Sequence, residues 1–442
     1  MNVPRTGLIT VSLEGERLDL AEKFDRTARH QLARFGLEVL GDGIPKTHGR
    51  EVLAAVESVR RDGAESIVYL MGTWVSAPDV VTAVQLAGMP TAVWGVPEGA
   101  SFSSVGANVV HGALEELGLK HKLVYGLPDD EETLRELVCF LRAARVKHAL
   151  NGALLGLIGG RSLGMYPSTT DPLQVKRVFG LEIEHVDQLL LVETARGLDE
   201  EKVTQAYEEF KGAYGQINVP MEIMSKSLRM YFALKQLVSE RQFDFVALKC
   251  LEEVINTYVS CCLPIALAND EGLITACQSD INAAIAMQIM HLLTGSAPMF
   301  ADVNVVDKDT GVARLVNCGT MPTVLATSKK DVEWNCQYEY MGKARGACPT
   351  FCCRAGHVTF AALSRIKGDY VMQIASGEAF EQPKSVLAEV RDVWPQAFVK
   401  LHGDPLDFYR NLRSNHMVAA YGDVTNELID FCALSDIRPI LT

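Results

Sequence analysis

The chain has 442 residues, 48% of them hydrophobic and 22% charged, with a formal net charge of −13 and a pI near 5.3. That length accommodates about two to four domains with ordinary cores. The acidic balance excludes a general nucleic-acid or anionic-membrane surface, since both need a basic footprint, though a few placed arginines can still hold a small anion. No run of about 18 apolar residues could span a bilayer and no signal peptide precedes the first strand-like run, so a cytosolic protein is expected.

In chain order, Gly7–Leu13, Leu37–Leu40, Ser66–Met71, Thr91–Val96 and Lys122–Tyr125 read as strands, with helical patterns between them and a last one over Asp130–Val146. Five successive strand-helix units predict a doubly wound parallel sheet over residues 1–150, with function carried on its loops. Two of those loops stand out: Gly72-Thr73-Trp74, and Gly95–Ser104, which is rich in Gly and Ser. The second lacks both the G-x-G-x-x-G spacing and a P-loop lysine, so no nucleotide site is inferred.

A second series opens with the strand Ala153–Ile158 and a Gly-rich turn, Gly159–Met165, where Arg161 offers a fork of donors beside a backbone that a ligand can approach. Leu181–Val186 and Phe243–Leu248 read as strands, Glu201–Ala213 and Ile223–Glu240 as helices, and Ala268–Gly272 as a turn. Next comes the stretch on which the functional reading turns. Leu273–Cys277 reads as a buried strand, Asn282–Leu293 has the three- and four-residue apolar spacing of a helix, and a further apolar run contains Asp302. If two strands flank one crossover helix they run parallel, which puts Gln278 and Asp302 at strand ends facing one crevice.

Beyond Asp302 the intervening helices thin out. Val303–Val306, Ala313–Asn317, Pro322–Ala326, Glu333–Tyr340, Val358–Ser364 and Tyr370–Ser376 are strand-like, predicting an antiparallel sheet or small barrel. Asn415–Asp423 is a late apolar run with His416 at its entry, followed by a helix over Asn426–Leu434. A lone histidine there is commonly structural. The 11 cysteines are odd in number and scattered through core runs, which fits reduced thiols. Cys348, Cys352 and Cys353 lack the paired spacing and fourth ligand of a zinc site and read as structural.

Several segments together resemble the L-fucose isomerase and L-arabinose isomerase-like family of metal-dependent aldose-ketose isomerases. They are GTWVSAPDVV (72–81), IGGRSLGMYPSTTDPLQVKRVFGLEIEHVD (158–187), LANDEGLITACQSDINAA (267–284), LLTGSAPMFADV (292–303), RLVNCG (314–319) and SNHMVAAYGDV (414–424). The resemblance implies an α/β chain with a flavodoxin-like domain over 1–150, a second parallel-sheet domain over 151–320 carrying metal-site residues, and a β-rich, barrel-like domain over 321–442. It also implies a homo-oligomer whose site lies at a subunit interface.

By the same resemblance, a divalent ion, usually Mn2+, is held at Gln278, Asp302 and His416. Trp74, Arg161, Lys249 and Asn415 are the expected substrate contacts, and the residues at 278 and 302 are the acid/base pair. His185 and Asp187 are read as supporting the fold. One position departs from the family: a glutamate is expected where this chain has Gln278. An amide oxygen can coordinate a hard cation but cannot take up a proton near neutral pH. The expectation is a weakened isomerase on a deoxyhexose, a pentose or a 6-sulfonated hexose such as sulfoquinovose. Two alternatives stand beside it: a non-catalytic sugar-binding paralogue, and, less favoured, a metal-dependent lyase or aldolase using the same enediolate chemistry. The glutamine itself is either a natural divergence or a replacement of the catalytic base.

Overall fold

The computed structural model describes residues 3–338, 344–390 and 393–442. The chain divides into two compact units, residues 1–149 with 426–436, and residues 150–425 with 437–442.

Unit 1 alternates strands and helices: β1 (Arg5–Val11), α1 (Leu18–Arg34), β2 (Glu38–Leu40), α2 (Gly49–Arg61), β3 (Ser66–Met71), α3 (Ala77–Ala87), β4 (Thr91–Gly95), α4 (Ser103–Glu116), β5 (Lys122–Tyr125) and α5 (Glu131–Leu150). The strands pair in parallel in the order β2-β1-β3-β4-β5. Both faces are covered, so β3 is buried at all six positions. Ile67, Tyr69 and Val93 pack with Val52, Val80 and Val110 on one side, and Leu8, Val68 and Trp94 pack with Phe24, Leu137 and Leu141 on the other. The predicted doubly wound sheet is therefore present, with strand bounds within about two residues of expectation.

Unit 2 begins with β6 (Leu154–Ile158), α6 (Pro172–Phe179), β7 (Glu182–Val186), α7 (Gln188–Arg196), α8 (Glu200–Ala213), β8 (Gln216–Ile217), α9 (Met221–Arg241), β9 (Phe245–Leu248), α10 (Glu253–Thr257), α11 (Cys262–Asp270), β10 (Thr275–Cys277) and α12 (Ile281–Thr294). Strands β10-β9-β6-β7 form a second, all-parallel sheet. The turn expected over Ala268–Gly272 is instead largely the last turn of α11, whose Asn269 amide bridges Ile265 and Thr275.

The remaining strands are β11 (Met299–Val306), β12 (Val312–Val316), β13 (Glu333–Tyr338), β14 (Ala344–Thr350), β15 (Gly356–Ile366), β16 (Asp369–Phe380), β17 (Gln396–Leu401), β18 (His416–Tyr421) and β19 (Arg438–Leu441). Short helices α13 (Lys384–Leu387) and α14 (Pro405–Arg410) and the longer α15 (Thr425–Leu434) lie among them. Six strands run β15-β18-β11-β12-β17-β16, and an 11-residue β15–β16 pairing closes them into an antiparallel barrel. β19 adds in parallel to β16. Closure removes the free edges that an open antiparallel sheet would expose. β13 and β14 pair with β8 in a separate small sheet. Pro322–Ala326, expected as a strand, is a 3-10 turn over Thr323–Leu325, with the Thr323 hydroxyl and the Val324 N–H both on the Asp270 carboxylate. Residues 339 and 340 of the expected strand Glu333–Tyr340 lie outside the described residues.

The crossover expectation fails in an instructive way. β10 pairs with β9 in the parallel sheet, whereas β11 pairs antiparallel with β12 and β18 in the barrel. The two strands are in different sheets, and Asp302 is the fourth of eight residues in β11 and not at its end. Helix α12 joins the sheets. It is buried almost all round and packs against β9 and β10 on one side and against β15 and β18 on the other. An all-apolar helix of that kind needs cover on every face, which two sheets supply.

Among the described residues no helix is long and apolar enough to cross a membrane. None of the eleven cysteines forms a disulfide.

Candidate active site

The polar centre of unit 2 is built where α12 begins. After Cys277 the backbone makes a turn in which Gln278 and Ser279 both take left-handed φ, 62° and 51°. Each such residue costs about 1 kcal/mol without a glycine, so the turn is held from outside. The Ser279 hydroxyl bonds the carbonyl of Ile158 at the end of β6. Asp280 then caps α12, one carboxylate oxygen accepting from the Ala283 N–H at 3.0 Å.

The other Asp280 oxygen reaches the barrel, 2.7 Å from His416 Nδ1. His416 and Asp302 are opposite each other on the antiparallel strands β18 and β11. The ring lies against Phe300, centroids 4.3 Å apart, and its Nε2 stands 4.0 Å from Asp302 Oδ1. Asp280 thus accepts a hydrogen bond from Nδ1–H, which in the neutral ring leaves Nε2 as a lone pair facing Asp302, the arrangement in which carboxylates orient metal-binding histidines. Asn415 donates to Asp302 Oδ1 at 2.8 Å. The His416 side chain is 5% exposed and that of Asp302 50%.

Burial by itself would lower the His416 pKa, but the hydrogen bond and charge of Asp280, with the charge of Asp302, outweigh it and raise the value above the ordinary imidazole range. For Asp302 the surrounding protein lifts the carboxyl above its usual range even though solvent reaches half the side chain; His416 and Asn415 pull the other way.

Gln278 is 6% exposed, and its side chain meets the Ser162 hydroxyl. Ser162 also lies 3.0 Å from the carbonyl of Leu251. One hydroxyl proton cannot serve both acceptors. Turned about, the Gln278 amide donates to Ser162 Oγ while Ser162 donates to Leu251, so that each of the two contacts has one donor and one acceptor. That orientation frees the amide oxygen from Ser162.

The structure therefore brings Asp302, His416 and Asn415 together, with Gln278 two residues before the aspartate that grips His416. Arg161, next to Ser162, has its guanidinium 4.7 Å over the ring of exposed Tyr166. Lys249 is paired with Glu253 at 2.6 Å. Trp74 follows β3 in unit 1, partly exposed, its backbone N–H on the carbonyl of Ser101. No sequence motif marks Asp280 or Ser162 as a site residue. An aspartate directly before an apolar helix signals a cap, and its second oxygen is the available clue to a further role.

An imidazole nitrogen and a carboxylate oxygen, as His416 and Asp302 present them, are donor types that Mn2+ or a similar divalent ion accepts. The 4.0 Å between Nε2 and Oδ1 is within the span of two metal-ligand bonds of about 2 Å each.

Residues 315–441 match the family model described as L-fucose isomerase, C-terminal domain. That match and the relatives below make the chain similar to the L-fucose isomerase-like proteins. A sulfoquinovose isomerase of Priestia aryabhattai is 22% identical to this chain over 87% of each. One from Clostridium sp. (strain MSTE9) is 25% identical over 76% of this chain and 74% of its own, and one from Alkalicoccus urumqiensis is 22% identical over 82% and 83%. A solute-binding protein of a Burkholderia multivorans ABC transporter aligns with 67% of this chain at 12% identity and a TM-score of 0.20, which carries no weight.

Proposed function

We propose that this chain is a divalent-metal-dependent aldose-ketose isomerase acting on a free hexose with an anionic group at C6, with sulfoquinovose as the first candidate. The observation that carries the reading is the line Asp280–His416–Asp302, with bonded and facing separations of 2.7 and 4.0 Å. Relatives named as sulfoquinovose isomerases over most of their length support the substrate class.

A Mn2+ or similar ion, held by Gln278, Asp302 and His416, would supply Lewis-acid polarisation of the sugar carbonyl. Asn415 holds Asp302 Oδ1, which leaves Oδ2 to carry a proton between C2 and C1. A carboxyl pKa lifted toward neutrality suits that exchange, because the group can both accept and release the proton. Gln278 can ligate and orient but cannot act as a second base. Turnover slower by roughly 100- to 10,000-fold than with a carboxylate at 278 is expected. Arg161, stacked on Tyr166 beside Ser162, is the cation offered to the anionic tail, since Lys249 is already neutralised by Glu253. The half-exposed Asp302 supports a homo-oligomer in which a second copy covers the site, and the absence of disulfides supports a cytosolic setting.

Proton NMR in D2O tests the proposal, with sulfoquinovose, glucose, L-fucose and D-arabinose incubated with the protein and Mn2+ beside the Gln278→Glu variant. Deuterium at C2 with ketose forming, faster in the variant, is the expected result. A second reading, a sugar-binding paralogue without turnover, is favoured by Gln278 itself. Saturable sugar binding with no exchange by either form would select it.

A further inference from the structure

We infer that His111, Glu115 and His121, in unit 1, form a binding site for one divalent transition ion of the zinc class. His111 and Glu115 are one turn apart on α4, so both side chains leave the same helix face. The helix ends in a reversal that the sequence dictates: Gly118 takes φ 65°, its N–H bonds the Glu115 carbonyl, and the Leu119 N–H reaches back to Leu114. This is a Schellman closure, for which glycine is the suited residue. The chain folds back over the last turns of α4, and His121, just before β5, lands beside His111.

The ring nitrogens then decide the chemistry. His121 Nδ1 lies 2.8 Å from the carbonyl of Leu119 and must be its protonated nitrogen, since a carbonyl only accepts. His121 Nε2 therefore presents a lone pair, and it points at His111 Nδ1 only 2.7 Å away. The two rings meet edge on, with centroids 4.9 Å apart. Two facing imidazole nitrogens need something positive between them, a shared proton or a cation. A proton accounts for the pair alone. The third member is better explained by a metal, because a carboxylate oxygen of Glu115 and the two ring nitrogens all lie within 4.8 Å of one another.

Two imidazoles and a carboxylate with an open fourth position are ligands zinc accepts, and a backbone carbonyl fixing the far nitrogen of one imidazole is the usual outer support. The position at the C-terminal end of a helix favours a cation. The nearby Lys120 does not oppose it directly, being paired with Asp436 at 2.5 Å. Bound there, an ion would staple the end of α4 to the start of β5.

The test is isothermal titration of the metal-free full chain with Zn2+, in wild type, His121→Gln and Glu115→Gln. Differences between forms are read, and not total stoichiometry, because His357, Glu378 and His402 make a second such group in unit 2 and the candidate active site can also take zinc. The expected result is one fewer zinc equivalent in His121→Gln, and an affinity about tenfold or more weaker for that equivalent in Glu115→Gln. Zinc should also raise the melting midpoint of wild type more than that of His121→Gln. Equal stoichiometry in wild type and folded His121→Gln would overturn the assignment. So would unchanged affinity in Glu115→Gln, which alters an exposed side chain and leaves folding undisturbed, and which therefore decides the matter if His121→Gln does not fold.

Discussion

The two halves of the candidate active site are held by different means. On the barrel side, Asp302 and His416 occupy facing positions of a closed ladder, with β11 paired on both edges and the imidazole packed on Phe300. Their separation can change only if the ladder slips, and a slip of one residue would turn both side chains to the other face. On the parallel-sheet side, Gln278 and Ser162 sit in loops, and the Gln278–Ser279 turn is held in left-handed geometry by side-chain bonds. The ionisable groups are thus on the rigid side and the neutral, adjustable ones on the side that loops control. Asp280 belongs to the second half by sequence and to the first by contact, since it caps α12 and grips His416.

Damage to the rigid side should cost most. Asp302→Asn removes a ligand and the remaining base together, and isomerisation is expected to fall by roughly 100- to 10,000-fold with the melting temperature little changed. Retention of most of the C2 exchange rate would move the base elsewhere. Asp280→Asn keeps the cap, because asparagine is also a good capping residue, but weakens the grip on His416. Here Mn2+ affinity should drop about 10- to 100-fold while turnover at saturating metal largely recovers. A loss that excess Mn2+ does not repair would mean that Asp280 has a different task. Ser162→Ala touches only the adjustable side. It leaves one polar partner of Gln278 unmet, for a stability loss of about 1 kcal/mol in a denaturant titration, with activity within a few fold of wild type. An effect as large as that of Asp302→Asn would erase the proposed contrast between the halves.

What could be read beforehand follows the same division. The strands Ser66–Met71 and Lys122–Tyr125 fall where the apolar runs predict them, because each is a local pattern bounded by turns. The family-like motifs single out residues 302 and 416 individually, yet their pairing across a barrel does not follow from spacing. Antiparallel partners far apart in sequence leave no local mark, and the apolar run through Asp302 reads alike for a parallel or an antiparallel strand. The same blindness put β10 and β11 in one sheet. Ser162 and Asp280 carry no sequence signal of their own because a polar residue at a turn is ordinary; their importance lies in what they meet 116 and 136 residues away.

Helix α15 has a consequence for how the chain is made. Residues 426–436 belong to unit 1, where Lys122 pairs with Asp430 at 3.0 Å, Arg142 meets Glu427, and Leu434 packs on the core containing Phe140 and Leu141. The first 149 residues emerge from the ribosome long before this closing piece. At a synthesis rate of roughly 5 to 20 residues per second, unit 1 waits for tens of seconds with that flank uncovered. Its apolar strip is then an exposed surface that chaperones can hold, and the unit is completed only after residues 150–425 have been translated.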